Sequence, residues 1–135
     1  MRVLVVEDEA LIGLGLEDEL TKAGHIVAGP VPSSGAALLL VNTTRPALAL
    51  IDLDLDEEQD PVRLARVLKK TFRVPSLFIT CQPQRADAHA DAAIGVLSKP
   101  FNLADIPAVL EVANEVLAGG TPPPPPLPSP LRLFN

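Results

Sequence analysis

Five short apolar runs, each followed at once by polar residues and then by a longer helix-patterned stretch, run through this chain. Val3-Leu4-Val5-Val6 is continuous and largely β-branched rather than alternating, which is how a strand buried on both faces reads. Ile26 to Ala28, Ala47 to Ile51, Ser76 to Ile79 and Gly95 to Leu97 repeat the pattern. Helical spacings fill the gaps. Leu11, Ile12, Leu14, Leu16 and Leu20 recur at threes and fours across Ala10 to Ala23, with Gly24 placed to cap the C-terminus. Gly13 and Gly15 work against that helix, each costing about 1 kcal/mol relative to alanine. Ser33 can cap a helix to about Val41, and Asp60-Pro61 pairs an N-cap with a first-turn proline for a helix through about Thr71. A weaker pattern covers Arg85 to Ala92. Ile106, Val109, Leu110, Ala113, Val116 and Leu117 mark one face of a last helix, which Pro107 starts at Asn102 or Asp105.

Strand–helix alternation repeated five times predicts an α/β fold with a parallel sheet and helices on both faces. Such sheets bind ligands at the carboxyl ends of their strands, where the strand order reverses. The residues placed there are Glu7-Asp8-Glu9, Asp52-Leu53-Asp54, Thr80-Cys81 and Lys99-Pro100. Carboxylates that converge repel one another unless a cation compensates. Hard oxygen ligands of this kind suit Mg²⁺, which binds through a few carboxylates plus a phosphate. A lysine and a hydroxyl beside them complete a site for a transferring phosphoryl group, with one carboxylate attacking phosphorus in line.

Charge and composition narrow the partners. The net charge of −6 argues against nucleic acid or an anionic membrane. One cysteine excludes an internal disulfide framework and a multi-cysteine metal site. No apolar run approaches the ~20 residues of a membrane span. Met1-Arg2 leads straight into the first strand with no signal-peptide pattern, so a cytoplasmic location is expected. Seven of the 15 prolines fall in Thr121 to Asn135, after Gly119-Gly120. The expected organisation is a domain over 1–119 and a proline-rich tail over 120–135, extended or disordered. Leu131, Leu133 and Phe134 are read as part of that loose end.

Over roughly residues 1 to 118 the sequence resembles the receiver domain of bacterial two-component response regulators. The matching stretches are Val3 to Glu9, Leu48 to Asp52, Phe78-Ile79-Thr80 and Leu97-Ser98-Lys99-Pro100-Phe101, in the family's order and separation. It looks most like the stand-alone members without an output domain. The resemblance implies a flavodoxin-like, doubly wound five-stranded parallel sheet, a (βα)5 fold with strand order 2-1-3-4-5. It implies that Asp52 accepts a phosphoryl group from a histidine kinase or histidine phosphotransfer protein. Glu7, Asp8, Asp52 and the backbone carbonyl of Asp54 would hold Mg²⁺, Lys99 would pair with the phosphoryl oxygens, and Thr80 would move to hydrogen-bond them. It also suggests a cis Lys99-Pro100 bond. The expected output is phosphorylation-dependent binding of an unidentified downstream protein, or service as a phosphate sink, with a homodimer through the last helix and strand as a further partner. Such a domain is not an enzyme beyond its own phosphoryl transfer and dephosphorylation.

Several positions depart from the family. Val96 stands where an aromatic switch residue usually lies, three positions before Lys99, and Cys81 replaces a small residue after the hydroxyl. The stretch from Thr80 to Lys99 is a few residues shorter than usual, which shrinks the fourth helix. The loop after Asp52 lacks the usual proline and glycine, and six acids occupy Asp52 to Asp60 with no base among them. The acids from Asp54 to Asp60 read as a solvated loop, and Cys81 as buried packing. Arg63, Arg66, Lys69, Lys70 and Arg73 read as a solvated helix face, and His25 and His89 carry no assigned role. Two other readings stay open at this point. One is a pseudo-receiver that acts as an interaction module without phosphorylation. The other is a small phosphatase, because Asp52-Leu53-Asp54 resembles the Asp-x-Asp nucleophile motif of haloacid-dehalogenase-type enzymes, although that family places it after the first strand.

Overall fold

The computed structural model describes residues 1–120 and 131–134. Five parallel strands, β1 (Arg2–Val6), β2 (Ile26–Val31), β3 (Leu48–Asp52), β4 (Ser76–Thr80) and β5 (Gly95–Ser98), lie in the order 2-1-3-4-5. Helices α1 (Ala10–Lys22), α2 (Ser34–Thr44), α3 (Pro61–Val67), α4 (Pro83–Asp87) and α5 (Ile106–Leu117) make the crossovers.

The continuous apolar strands are explained by two cores, one on each face of the sheet. Leu4, Val6, Ala49, Ile51, Phe78 and Val96 point to the α2, α3 and α4 side. Their neighbours Val3, Val5, Leu48, Leu50, Leu77, Ile79 and Leu97 point to the α1 and α5 side. Successive side chains alternate between faces, so a strand covered on both sides must be apolar throughout.

Helix ends follow the expected chemistry with local corrections. Ser33 accepts from the Ala36 amide at 3.1 Å and Asp60 from the Arg63 amide at 3.2 Å, each capping the helix that follows. The second helix runs to Thr44 rather than Val41 and closes on Arg45, whose φ of 47° supplies the left-handed turn without a glycine. The third widens into a π-helical stretch over Leu68–Phe72. The weak helix expected over Arg85 to Ala92 is instead the five-residue α4, opened by Pro83. Asn102 caps one 3₁₀ turn at Leu103–Asp105, and α5 starts only at Ile106. The glycines of α1 have a packing role. A Cβ at Gly15 would lie 2.6 Å from Leu103 Cδ1, and one at Gly13 would lie 3.1 Å from Pro30.

The end of the chain differs most from expectation. Among the described residues the sheet has six strands, because Leu131–Leu133 forms β6 antiparallel to β5. Leu131 is buried, the Phe134 amide donates to the Ile94 carbonyl at 2.9 Å, and Arg132 pairs with Asp87 at 2.6 Å. An edge strand with free backbone groups is a template for pairing, and here the chain's own end takes it. The tail is therefore not loose at residues 131–134; residues 121–130 lie outside the described part. Gly95 makes the approach of β6 feasible, since a Cβ there would meet the Arg132 carbonyl oxygen at 2.6 Å. Gly95→Ala is expected to unseat β6 and leave the parallel sheet intact. Amide protection at Arg132 to Phe134 should collapse in hydrogen exchange, with a stability loss of about 1–3 kcal/mol for the exposed apolar area.

Candidate functional site

Strand order reverses between β1 and β3, and the sheet register brings four strand ends into one pocket there. The Glu7 amide donates to Val31 at 2.9 Å, the Leu53 amide to Ile79 at 2.7 Å, and the Lys99 amide to Thr80 at 2.9 Å. These backbone bonds hold each first residue past its strand against the neighbouring strand. The Lys99-Pro100 bond is cis.

All the expected residues meet. The Lys99 ammonium lies 3.0 Å from Asp52 Oδ2, 3.4 Å from Asp54 Oδ2 and 3.9 Å from Glu7 Oε1. Asp52 and Glu7 are buried, and Asp8 is exposed at the rim. Asp52 Oδ1 accepts from the Asp54 amide at 2.8 Å. Thr80 is wholly buried; its hydroxyl donates to Asp54 Oδ1 at 2.7 Å and accepts from the Gln82 amide at 3.0 Å.

The pocket carries more negative charge than Lys99 can balance. Burial, together with the adjacent Asp52 carboxylate, pushes Glu7 up to about 8. Burial works against the Lys99 charge, but Asp52, Glu7 and Asp54 outweigh it and hold the ammonium above its ordinary value. Asp54 is also opposed by burial, yet its hydrogen bonds from Thr80 and Cys81 keep it below the usual carboxylate range.

The donor set fits a hard cation. Glu7, Asp8 and Asp52 each offer an oxygen, with these atoms all within 4.8 Å of one another. Both Glu7 oxygens are buried with no hydrogen-bond partner. Unpaired buried carboxylate oxygens cost free energy that a divalent cation would recover.

Two residues differ from their sequence reading. Cys81 is exposed rather than packed inside, and its amide donates to Asp54 Oδ2 at 2.8 Å. Asp54 was expected to contribute only a backbone carbonyl, with its side chain in a solvated loop. Its carboxylate instead sits inside the site, bonded to Thr80 and Cys81. Among the expected solvated bases, Arg66 pairs with Asp91.

An open cleft of about 450 Å³ adjoins the pocket, lined by Leu11, Ile12, Cys81, Lys99, Phe101 and Leu103 among others. Among the described residues no helix is long and apolar enough to cross a membrane.

A doubly wound parallel sheet with an acidic, lysine-bearing pocket at its switch point defines a class of α/β domain, and the comparisons narrow it. Residues 3–111 match the response regulator receiver domain, and the chain belongs to that family. It is 33% identical over 113 residues to the phyllosphere-induced regulator PhyR of Methylorubrum extorquens, covering 82% of this chain and 42% of PhyR. It is 30% identical over 115 residues to the transcriptional regulatory protein PdtaR of Mycobacterium tuberculosis, covering 83% of this chain and 56% of PdtaR. The chain thus spans about half the length of these relatives. A solved signal receiver domain of a modulated diguanylate cyclase from Desulfovibrio desulfuricans superposes with a TM-score of 0.73 at 29% identity, over 87% of this chain and 95% of that one. Receiver domains are two-component signalling domains that work with histidine kinases or phosphotransfer proteins, rather than enzymes acting on a separate substrate. Membership of this family leaves the phosphatase reading without support.

Glu7→Gln removes the buried charge. Glu7 has a raised folded-state value, so its penalty is absent below about 4.5 and grows until pH passes about 8. In EDTA the variant should gain stability on the order of 2 kcal/mol at pH 8.5 and none near pH 4. Mg²⁺ should raise the melting temperature of the wild type and leave Glu7→Gln unmoved, both followed by circular dichroism.

Proposed function

We propose that this receiver domain accepts a phosphoryl group on Asp52 from a histidine kinase or histidine phosphotransfer protein and signals by phosphorylation-dependent binding of a partner, or serves as a phosphate sink. The observation that carries the reading is the buried Asp52 carboxylate held at 3.0 Å by Lys99. A carboxylate fixed in one orientation is a better placed nucleophile, and an ammonium beside it stabilises the charge on the phosphoryl oxygens. An Asp52 oxygen attacks phosphorus, the new O–P bond forms as the P–N bond of the phosphohistidine breaks, and the imidazole nitrogen keeps the electron pair. Glu7, Asp8, Asp52 and the Asp54 carbonyl would hold Mg²⁺, which when bound neutralises negative charge on the transferring group. Hydrolysis of the resulting acyl phosphate returns the domain to its starting state, and the domain itself catalyses both steps.

The donor has a surface to meet. Leu11 is 84% and Leu14 60% exposed on α1, beside the apolar cleft that reaches Lys99. A helix presenting a phosphohistidine above an apolar stripe fits that surface and points its phosphorus into the pocket. For a homodimer through the last helix and strand, β6 already covers the outer edge of β5, so such a pair would use the α5 surface or displace that strand.

The chain has no tryptophan or tyrosine, so intact mass is the natural readout. Acetyl phosphate with Mg²⁺ should add one phosphoryl group, and Asp52→Asn or omission of the metal should abolish it. Lys99→Ala should slow uptake by about 10²-fold, the usual cost of removing one preorganised donor. A second reading, an interaction module independent of phosphorylation, is favoured by Val96, which puts an aliphatic residue where the family usually has an aromatic switch residue. It requires no mass gain and equal partner binding by Asp52→Asn.

A further inference from the structure

We infer that the Asp54 carboxylate is a built-in stand-in for the phosphoryl group, holding Thr80 and the Cys81 amide in their phosphoryl-facing arrangement before any phosphoryl group arrives. The inference rests on the reading of Asp52 as phosphoacceptor. Asp54 thereby competes with the incoming phosphoryl group for those donors.

A phosphoryl group bonded to Asp52 has three peripheral oxygens that need hydrogen-bond donors. Three donors lie at the neighbouring strand ends: the Lys99 ammonium, the Thr80 hydroxyl and the Cys81 amide. Asp54 engages all of them. Oδ1 takes the Thr80 hydroxyl at 2.7 Å, Oδ2 takes the Cys81 amide at 2.8 Å, and Oδ2 lies 3.4 Å from the Lys99 ammonium. The Asp54 amide is bonded to Asp52 Oδ1 at 2.8 Å, so surrogate and acceptor sit two residues apart on one turn. The Thr80 hydroxyl is fixed from both sides, since it also accepts from the Gln82 amide at 3.0 Å.

Two anions cannot share these donors. A phosphoryl group on Asp52 must expel the Asp54 carboxylate, which gives up two charge-assisted hydrogen bonds. The way out is open, because the Asp54 side chain is 20% exposed while its neighbours Leu53 and Leu55 stay buried and anchor the backbone. Phosphorylation then exchanges one anion for another at Thr80. What moves is Asp54, turned out beside Asp56 and Glu58, and not the threonine.

The test uses the full ¹⁵N-labelled chain with Mg²⁺, as wild type, Asp54→Ala and Asp54→Asn. Nuclear magnetic resonance reports the Cys81 amide and the Thr80 rotamer, and mass spectrometry reports uptake from acetyl phosphate. In the wild type without any phosphoryl mimic, the Cys81 amide should resonate downfield and Thr80 should hold one rotamer. Asp54→Ala should shift that amide upfield and average the rotamer, and beryllofluoride should return both toward their wild-type values. Uptake by Asp54→Ala should be about tenfold faster than by wild type, because the phosphoryl group no longer displaces a bound carboxylate from those donors. Asp54→Asn keeps the shape but offers one acceptor oxygen, so it should fall between the two. If the Cys81 and Thr80 signals ignore both substitutions, or uptake is unchanged, the inference is overturned while the phosphoacceptor reading stands. Uptake by none of the three proteins would overturn that reading and this inference with it.

Discussion

A single ammonium facing three carboxylates organises this domain. Lys99 lies within 4 Å of Asp52, Asp54 and Glu7, two of which are buried. Such a cluster has too few cations for its acids, and burying it costs free energy in any fold. Only a scaffold that is over-determined elsewhere can hold it. The two apolar layers provide that scaffold, one on each face of the sheet, and the strands that join them end at the pocket. Orphaned oxygens on Glu7 show the deficit left over, which a proton or a divalent cation removes.

The same physics decided what could be read from the sequence. Strands buried on two faces are apolar at every position, so β1, β3 and β4 stood out within a residue or two of their bounds. The site was legible for a related reason: Glu7, Asp52, Thr80 and Lys99 each sit at the first positions past an apolar run, where topology must bring them together. Helix ends were legible where a side chain caps, as at Ser33 and Asp60. They were missed where the backbone alone closes the helix, as at Arg45.

What escaped the sequence depends on distant partners. The side chain of Asp54 is one acid among six from Asp52 to Asp60, and its hydroxyl partner Thr80 is 26 residues away. No local pattern separates it from the loop acids. Leu131–Leu133 is too short for periodicity to register and follows a proline run. Its strand character comes from the free edge of β5 and from Gly95, which admits a backbone close by. Cys81 read as buried packing because a free cysteine is usually buried, yet it is exposed past the strand end and lines the cleft.

These missed features adjoin one another. Asp54 holds the Thr80 hydroxyl, Thr80 accepts from the Gln82 amide, and Gln82 leads into Pro83, whose carbonyl accepts from Arg132 at 3.3 Å. Arg132 also pairs with Asp87 at the far end of α4. The contacts run without a gap from the pocket through the β4–α4 turn to the added strand. Each exposed link is worth little alone, since surface pairs contribute about 0–1 kcal/mol. Their placement still matters. Val96 is buried and aliphatic, so the position three residues before Lys99 holds no aromatic ring. The short α4 and the strand it clasps are tied to the hydrogen bonds of Thr80 through Gln82 and Pro83.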